Sequence, residues 1–113
     1  MRALITGVAG FAGSHLAEYL LAETDWEVWG TVYQDDRNIE HLRGQLRLRQ
    51  VDLRVPEAVN DLLAEARPDR VYHLAGQSYV PASWDDPWGT FEINVRSQIN
   101  LLEAVLTAGL TPR

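Results

Sequence analysis

Two residue types are missing from this sequence, which contains no cysteine and no lysine. Without cysteine the chain forms no disulfide bond, and it offers neither a thiol nucleophile nor a thiolate ligand for zinc. All ten basic residues are arginines, so no reaction step on this chain uses a lysine amine as a base, a Schiff-base former or a phosphate anchor. A biased codon supply is the simplest explanation for the missing lysine, and the chemical consequence holds whatever its cause.

Positive charge and long apolar runs are also scarce. Sixteen acidic residues against ten arginines give a net charge of −6, which argues against nucleic acid as a partner. No apolar run approaches the ~20 residues of a membrane helix, and the N-terminal run ends at Gly7, too early for a signal peptide. The three histidines are scattered, so we predict no metal site. We expect a cytoplasmic protein of one domain.

Short apolar runs alternate with stretches of helical spacing. We predict strands near residues 3–5, 28–32, 46–51 and 71–75. We predict helices from Phe11 onward, over 56–66 and over 89–108, with a loop over 77–87. This loop should face the ligand. We expect Trp84 and Trp88 to pack beneath it, and contact with the ligand is the alternative. This alternation predicts an α/β protein with a parallel sheet and right-handed crossovers.

The segment TGVAGFAG, residues 6–13, follows the first predicted strand and opens the first helix. In this context Gly7 permits a tight turn, Gly10 lets the backbone approach a pyrophosphate, and Gly13 lets the helix pack closely. The N–H groups at the start of the helix favour an anion. A chain without lysine therefore still has a means of holding phosphates.

The spacing of this segment and three other motifs resemble the extended short-chain dehydrogenase/reductase family, also called the NAD-dependent epimerase/dehydratase family. The motifs are Asp52-Leu53, HLAGQS at residues 73–78, and Asn94-Val95. Ser97 stands where the family usually has glycine. The resemblance implies a Rossmann-type, doubly wound parallel sheet, of which this chain supplies about four strands. Within the family, the motifs are most similar to the GDP-mannose 4,6-dehydratases and the GDP-4-keto-6-deoxymannose reductases.

The resemblance also implies a cofactor site and partners. The expected cofactor-binding residues are Gly7, Gly10, Phe11, Ala12, Gly13, Tyr33, Arg37, Asp52, Leu53, Leu74, Ala75, Gly76, Gln77, Ser78 and Asn94. Asp52 would accept a hydrogen bond from adenine, although capping the next helix explains it equally well. The expected partners are a nucleotide-diphosphate sugar, with a GDP-sugar favoured, and a second copy of the chain docked through the helix over 89–108. Burial of that helix against the sheet is the alternative.

The sequence leaves the choice between NAD and NADP open. An acidic residue at the end of the second strand selects NAD, whereas a nearby basic residue accommodates the 2′-phosphate of NADP. Here Tyr33 and Gln34 end the strand, Asp35 and Asp36 follow late, and Arg37 could reach a 2′-phosphate. We expect NAD(P), with NADP slightly favoured.

The family's catalytic pair, Tyr-x-x-x-Lys, is absent. The residues four positions after Tyr19, Tyr33, Tyr72 and Tyr79 are Glu23, Arg37, Gly76 and Ser83. We therefore expect residues 1–113 to be an NAD(P)-binding domain cut short before its fifth strand and its catalytic pair, with no catalytic residue and no activity of its own. The alternatives are another epimerase or dehydratase of this family, or a dinucleotide-binding module that performs no catalysis.

Overall fold

A computed structural model describes residues 1–113 and contains one parallel sheet of four strands in the order β3-β2-β1-β4. The strands are β1 (Arg2–Thr6), β2 (Glu27–Val32), β3 (Arg47–Gln50) and β4 (Arg70–His73). The α-helices are α1 (Phe11–Glu23), α2 (Pro56–Ala66), α3 (Val80–Asp85), α4 (Pro87–Phe91) and α5 (Ser97–Thr107). A 3₁₀-helix (Arg37–Leu42) precedes β3, and a π-helical turn (Glu92–Arg96) joins α4 to α5. The predicted α/β class and the strand and helix order are confirmed.

The central strand is β1, which pairs with β2 on one side and with β4 on the other. Ile5 lies opposite Gly30 of β2 and opposite Tyr72 of β4. Strands β2 and β3 lie in succession on one side of β1, and β4 lies on its other side. The strand order therefore reverses between β1 and β4. In doubly wound sheets, ligands bind at such a reversal, outside the carboxyl ends of the strands.

Both faces of the sheet are covered, as is usual for parallel sheets. One core cluster packs beneath α1 and the 3₁₀-helix and contains Ala3, Ile5, Val8, Ala17, Leu20, Val28, Ile39, Leu42 and Leu46. The other packs beneath α2 and α5 and contains Leu4, Trp29, Leu53, Val59, Leu62, Leu63, Ala66, Leu101 and Ala104. Because alternate residues of a strand face opposite sides, β1 contributes to both clusters.

The connection after β4 differs from the prediction. Part of the expected loop forms α3, in which Pro81 occupies a first-turn position that does not require its missing N–H. The following helix begins at Pro87, two residues earlier than predicted, because the Asp86 side chain accepts a hydrogen bond from the Gly89 N–H. The prediction that Trp84 and Trp88 pack beneath the loop is wrong, since they are 82% and 70% exposed.

The outer edge of β4 carries one further backbone pair. Arg113 donates its N–H to the Asp69 carbonyl at 3.0 Å, and its carbonyl accepts from the Val71 N–H at 2.8 Å. This is the hydrogen-bond pattern of two parallel strands. None of the helices has both the length and the apolar composition that crossing a membrane requires.

Candidate dinucleotide site

A cavity with a volume of about 650 Å³ lies at the carboxyl ends of the four strands. Cofactor pockets usually fall between ~300 and 1,000 Å³. Its lining comes from the glycine turn, from the segments after β2 and β3, from the segment after β4, and from the end of the long helical region. The cavity therefore sits where a doubly wound sheet places its ligand.

The glycine turn leaves no room for side chains at two of its positions. Gly7 has a φ of 66°, and a Cβ there would lie 2.8 Å from the Ala75 Cα. A Cβ on Gly13 would lie 2.3 Å from the Gly7 carbonyl oxygen. Gly7 thus lets β1 and the segment after β4 approach each other, and Gly13 lets α1 begin directly against the turn.

The first turn of α1 has hydrogen-bond donors without acceptors in the protein. The backbone N–H groups of Phe11, Ala12 and Gly13 make no internal hydrogen bond, and no side chain caps the helix. No acidic residue lies in this turn. These donors, together with the positive end of the helix dipole, favour an anion beside Gly10.

The Thr6 hydroxyl joins β1 to the segment after β4. It accepts hydrogen bonds from the N–H groups of Leu74 at 3.1 Å and Ala75 at 3.2 Å, and lies 2.7 Å from Nδ1 of His73. Because both lone pairs of the hydroxyl oxygen are used, its proton is donated to Nδ1. This arrangement assigns the acceptor role to Nδ1 and the ring proton to Nε2. Burial lowers the pKa of His73. Leu74 and Ala75 leave the sheet to make these bonds, which is why β4 ends before its predicted last residue.

Asn94, in the π-helical turn, fixes the backbone of the segment after β4. Its Oδ1 accepts from the Gln77 N–H at 2.6 Å, and its Nδ2 donates to the Gln77 carbonyl at 3.0 Å. The Gln77 side chain in turn accepts from the N–H of Tyr79 and donates to its carbonyl. A Cβ on Gly76 would lie 3.1 Å from Asn94 Oδ1. This arrangement holds residues 76–79 against the pocket.

An ion pair lies on the opposite wall of the pocket. Arg54 donates from Nε to Asp52 Oδ1 at 3.0 Å and from Nη2 to Asp52 Oδ2 at 2.9 Å. These hydrogen bonds hold the pKa of the Asp52 carboxyl below its usual range and raise that of Arg54. Arg54 Nη2 also donates to the Tyr33 hydroxyl at 3.1 Å. The pair therefore connects the ends of β2 and β3.

Comparison with known proteins identifies the family. A family model described as GDP-mannose 4,6 dehydratase matches residues 4–113. The chain belongs to the GDP-mannose 4,6-dehydratase family.

The relatives of this family member are named for different activities, reduction in one case and dehydration in another. Over 111 residues the chain is 36% identical to GDP-6-deoxy-D-mannose reductase of Pseudomonas aeruginosa, covering 97% of this chain and 31% of that protein. Over 122 residues it is 35% identical to GDP-mannose 4,6-dehydratase of Vibrio cholerae, covering 98% and 32%. The chain spans about a third of the length of these relatives.

The fold matches solved structures of related enzymes. The UDP-glucose 4-epimerase of Thermus thermophilus, solved in complex with NAD, superposes with a TM-score of 0.83 at 39% identity. The match covers 97% of this chain and 35% of that one. The predicted Rossmann-type fold and the predicted epimerase/dehydratase relationship are thus confirmed.

Most of the residues predicted to bind cofactor in this GDP-mannose 4,6-dehydratase family member line this cavity. They are Gly7, Gly10, Tyr33, Asp52, Leu53, Leu74, Ala75, Gly76, Gln77 and Ser78. Their role in binding a cofactor stays a prediction. Leu53 is held there by α5, because the buried Asn100 side chain donates to the Leu53 carbonyl at 2.9 Å.

The other predicted residues lie outside the lining. The Phe11 side chain is 80% exposed and packs on His15, so Phe11, Ala12 and Gly13 offer the site only backbone groups. Arg37 is 82% exposed and bound to Asp35 at 2.6 Å. Asn94 contacts the backbone of Gln77, which itself lines the pocket. These residues therefore present no side chain to the cavity.

Several lining residues were absent from the prediction. They are Ala9, Thr31, Val32, Gln34, Asp35, Val51, Arg54, Tyr79, Ile93 and Ser97. Most of them follow or end a predicted strand, and this position is the signal that could have found them. Ser97 is different, because it is buried where α5 begins.

Proposed function

We propose that this chain is the dinucleotide-binding part of a nucleotide-sugar-modifying enzyme and that its pocket holds NAD(P). The observation that carries the proposal is the first turn of α1, where the N–H groups of Phe11, Ala12 and Gly13 are without partners beside Gly10. Gly10 itself lines the pocket. A pyrophosphate at this point would satisfy donors that the protein leaves free.

The pocket residues suit the remaining parts of a dinucleotide. The Asp52 carboxylate is an acceptor for the adenine amino group, and Tyr33 and Gln34 lie where the adenosine ribose belongs in this fold. Gln77 and Ser78, which also line the pocket, would contact the nicotinamide ribose. A bound nicotinamide would supply the acceptor or donor of a hydride. The chain's own part is to bind and orient it.

Cofactor binding is tested by titrating the protein with NADH and NADPH and following nicotinamide fluorescence. Gly10 has an ordinary φ of −73°, and a Cβ there would lie 3.3 Å from the Gly7 carbonyl oxygen. Gly10→Val is therefore compared once circular dichroism shows it folded, and its side chain would occupy the phosphate position. We expect binding at least about tenfold weaker, since one lost charge-assisted hydrogen bond costs ~1.5–3 kcal/mol. Ala22→Val, an exposed change outside the pocket at the other end of the same helix, is the matched control and should bind like wild type. Equal affinity of Gly10→Val and wild type would refute the proposed site.

The substrate that we propose is a nucleotide-diphosphate sugar, with a GDP-sugar as the first choice. The support is the family match and the GDP-sugar named for both curated relatives. Catalysis requires more than this chain holds, because no tyrosine here is followed four residues later by lysine. We expect no product when the chain is incubated with GDP-mannose and NAD(P), as followed by chromatography. A dehydrated or oxidised sugar nucleotide would overturn this expectation.

We further propose that residues 1–113 correspond to the first part of a larger dinucleotide-binding domain. The chain spans about a third of its relatives, and Arg113 already pairs with β4 in the manner of a parallel strand. A fifth strand beside β4 would extend this pairing. Translating the gene beyond codon 113 tests this, and a stop codon there would refute it.

A homodimer through the helical region over 89–108 is part of the same proposal. Large apolar side chains are exposed there, namely Phe91, Ile99, Leu102 and Leu106, and the preceding residue Trp88 is exposed as well. The rings of Trp88 and Phe91 are stacked with centroids 5.6 Å apart. An exposed apolar face of this kind typically marks a protein contact. The inner face of α5 is used differently, since Leu101 and Ala104 pack against the sheet.

A further inference from the structure

The charged residues that line the pocket are Asp35, Asp52 and Arg54. Arg37, the arginine that the sequence suggests for phosphate recognition, does not line it. Its side chain is 82% exposed and folds back onto Asp35 with contacts from Nε and Nη2. The cation of the pocket wall is therefore Arg54.

Arg54 belongs to the β3–α2 connection, but its guanidinium lies at the carboxyl end of β2. Nη2 is 3.1 Å from the hydroxyl of Tyr33, the first residue after β2, and Cζ lies 5.7 Å from the centre of the Tyr33 ring. In this type of fold the end of the second strand faces the adenosine ribose, and an arginine nearby accommodates a 2′-phosphate. Arg54 occupies that place without being part of β2.

The guanidinium also keeps donors free for a ligand. Asp52 and Tyr33 use Nε–H and the two N–H groups of Nη2, whereas Nη1 makes no hydrogen bond in the protein. Both N–H groups of Nη1 are therefore available. Asp52 holds the plane of the guanidinium, and the side chain is 37% exposed, so a phosphate can reach it. Arginine and phosphate then form short charge-assisted hydrogen bonds.

We propose that Arg54 is the specificity-determining residue of this pocket and that it favours a dinucleotide with a phosphate on the 2′ position of its adenosine ribose. The inference rests on the proposed function, because it assumes that the pocket binds a dinucleotide. In this proposal a residue of the segment after β3 distinguishes dinucleotides with a 2′-phosphate from those without one. In this type of fold, residues at the end of β2 usually make that distinction.

The test uses two probes that contain the adenosine half and the pyrophosphate but no nicotinamide, namely ADP-ribose and 2′-phospho-ADP-ribose. Calorimetric titration of the wild-type protein should show tighter binding of the phosphorylated probe. Arg54→Gln should reduce the ratio of the two dissociation constants by about tenfold or more, because the phosphorylated probe loses more affinity than ADP-ribose does. Arg43→Gln, which breaks a similar Asp–Arg pair outside the pocket, should keep the wild-type ratio.

Tyr33→Phe gives a second measurement, because it removes only the hydroxyl that holds Nη2. We expect it to lower the same ratio by a smaller factor than Arg54→Gln does. An unchanged ratio in Arg54→Gln, or a loss of preference in Arg37→Gln alone, would overturn the role of Arg54. So would equal binding of both probes to the wild-type protein. In each of these cases ADP-ribose still binds and the proposed function stands, whereas a wild-type protein that binds neither probe overturns both.

Discussion

Replacing Gly7 with alanine measures how strongly the glycine turn depends on the close approach of two backbone segments. Gly7 has a φ of 66°, where a Cβ costs about 1–2 kcal/mol. That Cβ would also lie 2.8 Å from the Cα and 2.9 Å from the backbone N of Ala75. Ala75 is held by the Thr6 hydroxyl, so relieving the contact costs a further ~1–3 kcal/mol. We expect Gly7→Ala to lower the free energy of unfolding by about 2–5 kcal/mol.

Gly109 provides a matched control. Its φ is 67°, almost the same as that of Gly7, but no atom lies within 4 Å of a Cβ built there. Gly109→Ala should therefore lower the free energy of unfolding only by the cost of the positive φ, about 1–2 kcal/mol. Urea unfolding of both variants, followed by circular dichroism, gives the difference between the two losses. That difference measures the contact with Ala75 alone.

Equal losses in the two variants would refute this reasoning, because they would show that the Ala75 backbone moves aside without cost. The expected loss for Gly7→Ala is a large share of the ~5–15 kcal/mol that stabilises a typical domain. The variant's nicotinamide binding is therefore compared only at a temperature where circular dichroism shows it folded.

Three further outcomes follow from the contacts described above. Thr6→Val should lower the free energy of unfolding by at least about 1–3 kcal/mol, because Leu74 and Ala75 lose their acceptor; Thr6→Ser should restore most of it in the same urea assay. Burial lowers the folded pKa of His73, so its contribution to stability is complete above its unfolded pKa of about 6.5 and is lost as the pH falls below it. Between pH 7 and 5 the free energy of unfolding should therefore depend less on pH in His73→Gln than in the wild type. An equal dependence in both proteins would contradict the lowered pKa of His73. Leu106→Glu should convert the expected dimer to a monomer in sedimentation, with no change in nicotinamide binding; a wild-type monomer refutes the dimer.

The fold was largely predictable because its signals are local. The two-residue alternation of a strand and the spacing of apolar residues in a helix are set by neighbours in sequence. The helix over 56–66 was predicted with its observed bounds, since Pro56 opens it and its apolar residues share one face. The segment after β4 was harder to predict. Its helix α3 and the early start at Pro87 depend on proline and Asp86 in an otherwise polar stretch.

The side chains of the candidate site were only partly predictable. Asp52 was found through a motif, but its partner Arg54 was not, although it stands two residues away. The importance of Arg54 comes from its contact with Tyr33, 21 residues earlier in the chain. Arg37 was predicted from its distance to the end of β2, and a local ion pair with Asp35 turns it out of the pocket.

The sequence by itself determined the class of the fold, the order of its elements and the glycine turn, because each depends on residues close together in the chain. It also determined what the chain lacks, above all any lysine for a Tyr-x-x-x-Lys pair. The tertiary structure decided which side chains share the pocket wall. Thr6 with His73, Asn94 with Gln77, and Arg54 with Tyr33 meet across the sheet or between connections. Such meetings depend on strand order and on backbone approach, which no local pattern in the sequence encodes.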